Sequence, residues 1–156
     1  MDLKKMPDIA SVWGNIWDND GKQPWEGGPR SRRVAAGEII GARVYELPPR
    51  ATGGLYHFHH GHEELIVVLK GTVTLRTPDG ECDLTEGSVV LFPRGAQGAH
   101  QTINKTDHPT RHLITGNIAT PDAVEYPDSG QISVMAKTIS QTGEPLFHFS
   151  KIDPEK

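Results

Sequence analysis

The stretch His57-Phe58-His59-His60-Gly61-His62-Glu63-Glu64 runs directly into the apolar segment Leu65-Ile66-Val67-Val68-Leu69, which Lys70-Gly71 closes. Four of the chain's eight histidines fall within six residues here, followed at once by two acids. Imidazole and carboxylate are ligands for divalent transition metals, and neutral imidazole binds through either ring nitrogen. On a strand His57 and His59 share one face, because strand side chains alternate with period two. Their backbones then lie roughly 6–7 Å apart, close enough for both rings to reach one ion at about 2.0–2.1 Å per bond. A tight reversal through residues 60–63 brings Glu64, at the head of the next apolar run, beside the two rings. A merely hydrophilic His-rich turn would leave Glu64 with no partner for its charge, and burying a lone carboxylate is costly unless a cation offsets it.

A second stretch lies downstream: Gly87-Ser88-Val89-Val90-Leu91-Phe92-Pro93-Arg94-Gly95-Ala96-Gln97-Gly98-Ala99-His100-Gln101-Thr102-Ile103-Asn104. The two together resemble the paired motifs of the cupins. The first motif is matched by His57, His59, Glu64 after four residues and Gly71 after six more; the second by Gly87, Pro93, Gly95, His100 and Asn104. Two departures stand out: four residues separate Gly95 from His100 where two are usual, and Ala51 stands where the first motif often opens with Gly. The longer gap is similar to that of small single-domain bacterial cupins reading PRGxxGAHQ, in which it lengthens a loop and keeps the ligand. The motifs span residues 51–104. The resemblance implies an all-β double-stranded β-helix (a jelly-roll, or cupin barrel) and adds His100 to His57, His59 and Glu64 as the fourth metal ligand.

The rest of the chain agrees with that architecture. Its 156 residues, 35% hydrophobic, suit one domain with a real core. Seventeen Gly and twelve Pro punctuate it as many short strands require. Strand signals occur at Glu38–Leu47, Glu64–Leu69, Thr72–Thr77, Glu81–Leu84, Ser88–Phe92, Ala99–Asn104, Thr110–Ile118 and Gln131–Met135. Strands this short, turned every 8–12 residues, mean a sandwich or barrel. Three units follow: an irregular N-terminal arm over 1–36, the barrel over 37–120, and a proline-marked C-terminal arm over 121–156. The N-terminal arm carries Trp13, Trp17 and Trp25, too large to leave in water, and a solvated basic cluster of Arg30, Arg32 and Arg33. Leu65, Val67 and Leu69 oppose Ile66 and Val68 in parity, so the strand is covered on both faces, by the arm or by a second subunit. A homodimer is expected.

A net charge of −4 excludes a nucleic-acid partner, and no run of about 18 apolar residues or basic block suggests a membrane. One cysteine forms no intrachain disulfide, and Met1–Pro7 precedes no apolar signal core, so a cytoplasmic protein is expected. Cys82, between Glu81 and Asp83, reads as a half-buried strand residue rather than a nucleophile, since neighbouring acids raise a thiol's pKa.

Around the ligands, His60 and His62 have the wrong parity or lie in the turn, and serve as substitutes at most. Glu63 faces away. Asn104 fixes a loop. Arg43 and His112, on neighbouring strands, are candidates to face the pocket, and Arg94 lies in the loop at its mouth. Three neutral imidazoles and one carboxylate leave a divalent ion with net charge +1 and, in octahedral geometry, two open positions. That suits Fe, Mn, Ni or Co better than a closed structural Zn, and allows Lewis-acid chemistry, water activation or O₂ binding. Fold alone does not choose among activities. The leading expectation is a metal-dependent enzyme acting on a small oxygen-rich metabolite (a sugar, sugar phosphate or keto acid) by isomerase-like Lewis-acid chemistry. The alternatives are an Fe-dependent dioxygenase and a non-enzymatic small-molecule sensor.

Overall fold

The computed structural model describes residues 29–118, 120–139, 143 and 145–152. Its strands are β1 (Arg30–Ala36), β2 (Ile40–Leu47), β3 (Phe58–His59), β4 (Glu64–Lys70), β5 (Val73–Thr77), β6 (Gly80–Leu84), β7 (Val89–Phe92), β8 (Gln101–Ile103), β9 (Thr110–Asn117), β10 (Asp122–Tyr126), β11 (Gln131–Ile139) and β12 (Pro145–Lys151), with a 3₁₀ turn at Ala96–Gly98. They form three sheets ordered β1-β2-β9-β4-β7, β12-β11-β10-β3 and β6-β5-β8. Neighbours pair antiparallel in every sheet. The fold is all-β, a jelly-roll barrel. Among the described residues no helix is long and apolar enough to cross a membrane.

The main core lies between the five-stranded and three-stranded sheets, where Ile66, Val68 and Phe92 meet Val73, Leu75 and Leu84, backed by Val90 and Ile114. Each such side chain, fully buried, contributes about 1.5–3 kcal/mol. The alternation of β4 decides which residues take part. Ile66 and Val68 are 0% and 1% exposed, whereas Leu65, Val67 and Leu69 on the outer face are only half-buried. Glu64 has the same parity as Ile66 and Val68, so it points into the barrel at the end where the apolar filling stops. Register extends that inward face across three strands: Glu64 pairs with Gly116, which pairs with Gly41; Ile66 pairs with Ile114, opposite Arg43; Val68 pairs with His112, opposite Tyr45.

Several expectations need correction. Residues 30–36 are not irregular: they form β1, which pairs with β2 from Arg30↔Glu46 to Ala36↔Gly41. Charged residues hid the alternation, yet half-buried Arg30, Arg32 and Val34 alternate with exposed Ser31, Arg33 and Ala35. Arg30 is not a solvated cation. Its Nη2 donates to Glu46 Oε1 at 2.8 Å, and Arg111 pairs with the other oxygen of the same buried carboxylate. Cys82 is exposed rather than half-buried, because β6 is an edge strand buried only at Leu84. The C-terminal segment is more regular than a strap: β11 reaches Ile139 and the Phe147-His148-Phe149 tail forms β12. The three tryptophans lie outside the described residues.

Candidate metal centre

His57 and His100 face each other across an isolated antiparallel bridge, each backbone N–H donating to the other's carbonyl at 3.1 and 2.9 Å. His59 ends the two-residue β3, held by Val124 of β10 on one side and, through its carbonyl, by the Gly95 N–H at 2.8 Å on the other. Glu64 opens β4. Two distant segments are thus stitched together by backbone hydrogen bonds before any side chain is considered. The donor atoms of His57, His59 and Glu64 lie within 4.8 Å of one another. His100 joins from below, its Nε2 3.5 Å from Glu64 Oε2, and His59 Nε2 is equally 3.5 Å from that oxygen.

Each ring is fixed through its other nitrogen. His57 Nδ1 lies 2.8 Å from the Leu55 carbonyl, His59 Nδ1 2.6 Å from Asp122 Oδ2, and His100 Nδ1 2.9 Å from the Gly98 carbonyl. All three partners accept only, so Nδ1 carries the hydrogen and Nε2 presents a lone pair. The Gly98 carbonyl belongs to the 3₁₀ turn that fills the long gap after Gly95. That turn admits only glycine at 98, where a Cβ would sit 1.7 Å from the Pro93 oxygen. The extra residues therefore supply the acceptor that orients His100, and Phe92 stacks on its ring with centroids 3.8 Å apart.

The electrostatics of the site favour a cation. Burial, with His57 and His59 nearby, lowers the His100 pKa to about 3, so the ring is neutral near pH 7. Its lone pair then faces a carboxylate oxygen, and neither His100 Nε2 nor Glu64 Oε2 has a hydrogen-bond partner, although both are buried. Two acceptors facing each other in a low-dielectric site repel. A metal ion removes that conflict, and the donor set of three neutral imidazoles and one carboxylate fits one. Burial also lowers His57. For His59 burial is outweighed by the Asp122 hydrogen bond and the charges of Glu64 and Asp122, which raise its pKa. Asp122, despite burial, is lowered by the His59 hydrogen bond and the Gly61 N–H.

Asp122 is the residue that sequence reasoning missed. It stands 63 positions from His59, and no local spacing signals it. It also accepts from the Gly61 N–H at 2.8 Å and lies 3.4 Å from His62 Nδ1, so His59, His62 and Asp122 form a second close donor group. His60 pairs instead with Glu125 at 2.7 Å, and Glu63 is exposed. Asn104 is fully buried as a loop clamp: Nδ2 donates to the Leu47, Pro48 and His108 carbonyls, and Oδ1 accepts from Thr106.

A cavity of about 330 Å³ opens on Glu64, lined also by Arg43, Tyr45, His62 and Asn117. Of the two candidates on neighbouring strands, Arg43 lines it; exposed Arg94, in the loop, does not. Gly116, paired with Glu64, and Gly41, next across the sheet, line it as well. At Gly116 a Cβ would stand 2.3 Å from the Glu63 carbonyl oxygen, so no other residue fits. Burial raises the Tyr45 pKa, which keeps its hydroxyl a donor near neutral pH. His112 stacks on Tyr45 with centroids 5.4 Å apart but is sealed inside the barrel, not in the cavity.

Comparison with known proteins agrees with this geometry. Residues 43–116 match the cupin domain model. No curated protein matches the chain by sequence. A cupin-superfamily sugar phosphate isomerase from Silicibacter pomeroyi is 27% identical, superposes with a TM-score of 0.70, and is matched over 81% of this chain and 78% of its own. The polyketide cyclase RemF from Streptomyces resistomycificus (20% identity, TM-score 0.54, 77% and 78% coverage) and KdgF from a Halomonas species (17%, 0.54, 68% and 94%) share the fold. With both motifs converging inside a jelly-roll barrel, residues 43–116 of this chain form a cupin domain, and the solved structures it resembles include cupin-superfamily proteins.

Proposed function

We propose that this chain is a metal-dependent enzyme acting on a small oxygen-rich metabolite, with His57, His59, Glu64 and His100 as the ligands of one divalent transition metal. The single observation that carries the reading is the facing of His100 Nε2 and Glu64 Oε2, two buried atoms 3.5 Å apart, neither of which has a hydrogen-bond partner. When bound, the metal supplies Lewis acidity toward a substrate oxygen. The chain's own residues do the rest. Asp122 holds His59 in the Nδ1–H tautomer, while Gly41 and Gly116 line the cavity beside Glu64. Tyr45 and Arg43 offer hydrogen-bond donors along the cavity wall. The sugar phosphate isomerase likeness favours carbonyl–hydroxyl chemistry over the alternatives.

The test begins with metal analysis of protein purified anaerobically without a histidine tag. Near-stoichiometric metal is expected, and a metal-free protein that takes up none on titration overturns the reading. Incubation with aldose and ketose phosphates should then give isomer exchange by NMR with a flat oxygen electrode. Oxygen consumption with an added catechol or thiol would instead mark a dioxygenase. A stabilising metabolite recovered unchanged would mark a sensor. We further propose a cytoplasmic homodimer. Exposed Leu91 and Val89 of β7 pair with Leu65 and Val67 on the outer face, an apolar surface suited to a second subunit.

A further inference from the structure

Two cationic side chains in the cavity are not explained by metal binding. Arg33 of β1 and Arg43 of β2 are directly opposite in register, and both line the cavity that opens on Glu64. Like charges placed directly opposite on adjacent strands repel. Among the described residues neither arginine forms an ion pair within 4.0 Å. The contact made by Arg43 Nη1 is with a neutral hydroxyl, Ser31 Oγ at 2.9 Å, which positions the guanidinium without neutralising it. Four other arginines do pair with acids: Arg30 and Arg111 with Glu46, Arg50 with Asp107, Arg76 with Asp128. The register shifts immediately after Arg33, between Arg33 and Ala35. Such bulges re-aim side chains and recur beside binding sites.

From this cavity, its pair of cations without acidic partners among the described residues and the nearby donor cluster, we propose that Arg33 and Arg43 form an anion subsite that holds the phosphate of a phosphomonoester substrate. The subsite deepens the metal-dependent reading, since it names the substrate class. Two guanidinium groups match the charge of about −1.5 to −2 on a phosphomonoester at neutral pH better than the single charge of a carboxylate. Arginine's planar fork also suits bidentate contact with phosphate oxygens. Spacing gives the polarity of the substrate. Arg43 is two strands from β4 and level with Ile66, two residues beyond Glu64, so its backbone is roughly 12 Å from that of Glu64. The phosphate therefore sits at the end of the molecule remote from the oxygens that face Glu64.

The test measures binding of inorganic phosphate and of acetate to EDTA-treated protein by calorimetry at low ionic strength, with metal content of untreated protein followed in parallel. The wild-type chain should bind one phosphate at or below about 1 mM, and acetate at least about tenfold more weakly. Arg43→Gln and Arg33→Gln should each weaken phosphate binding by at least about tenfold. Arg43→Lys, which keeps the charge without the fork, should fall between. Arg50→Gln, at an exposed ion pair, should bind as wild type. No phosphate binding by wild type, equal loss in Arg50→Gln, full binding by both glutamine variants, or acetate as tight as phosphate would overturn the proposal. Metal-free apo protein keeps the two readings separate: phosphate binding without any metal uptake sinks the metal centre and leaves the subsite standing, and the reverse result does the opposite.

Discussion

The mouth and the floor of the barrel each contain a buried histidine, and the two behave differently. His100 and His112 are 2% and 1% exposed, and burial depresses both, to about 3 and about 4. At the mouth, His100 has Nδ1 anchored to Gly98, Nε2 aimed at Glu64 and two further imidazoles close by. At the floor, His112 stacks on Tyr45 opposite Val68, and neither ring nitrogen has a partner. Burial alone therefore does not distinguish a ligand from a packing residue. What does is the company each keeps: anchored tautomers and a facing carboxylate at one end, an apolar strand at the other.

The comparison breaks most severely if a mouth residue proves dispensable for metal. His59→Ala should leave bound metal well below stoichiometric by elemental analysis, while His112→Met should leave it unchanged. Wild-type metal content in His59→Ala would remove that residue from the ligand set. Glu64→Gln sharpens the point through stability. The amide can donate to a facing imidazole nitrogen, so the metal-free variant should melt no lower than metal-free wild type. The rise in Tm that metal gives the wild type, expected by mass action, should disappear.

A smaller effect is expected one shell out. Asp122→Asn keeps the size of the side chain but removes the charge that orients His59 and raises its basicity. Outer partners of this kind typically change metal affinity by about 10–100-fold. The variant should therefore be stoichiometric at saturating metal and fall short in competition with a chelator. Affinity equal to wild type would reduce Asp122 to a structural tether for the Gly61 turn.

How much of this was legible in the sequence follows the same division. The four ligand candidates are visible because they sit in two short segments whose spacing sets their parity, and the structure brings all four together around Glu64. The all-β fold is visible from turn spacing. Asp122 is invisible because it reaches His59 through pairing of β10 with β3, a contact across more than sixty residues that leaves no periodicity. The strand at Arg30–Ala36 is masked by charge: Arg30 pairs with a buried glutamate and Arg33 lines a cavity, so polarity misleads about position. Of the two candidates on neighbouring strands, Arg43 reaches the cavity and His112 does not; the rung does not decide this, since Tyr45, paired with His112, lines the cavity from β2.

The smallest effect tests the floor itself. Leaving a buried imidazole without a hydrogen-bond partner costs about 1–3 kcal/mol, and its stacking on Tyr45 returns about 0.5–1.5 kcal/mol. His112→Met, of similar volume and no strong polar atom, should therefore raise stability at pH 7.5 by about 1 kcal/mol in urea unfolding. The advantage should widen in acid. With the folded-state pKa depressed from 6.5 to about 4, the unfolded chain takes up this proton first, so stability is retained above 6.5 and lost as pH falls toward 4. Wild type loses that increment between the two values, and the methionine variant does not. The other histidines and the carboxylates titrate in both proteins, so the diagnostic quantity is the difference between their pH profiles. A difference that stays flat from pH 7.5 to 4 would mean that His112 finds a partner in solution, and the contrast between the two ends of the barrel would narrow to the presence of Glu64.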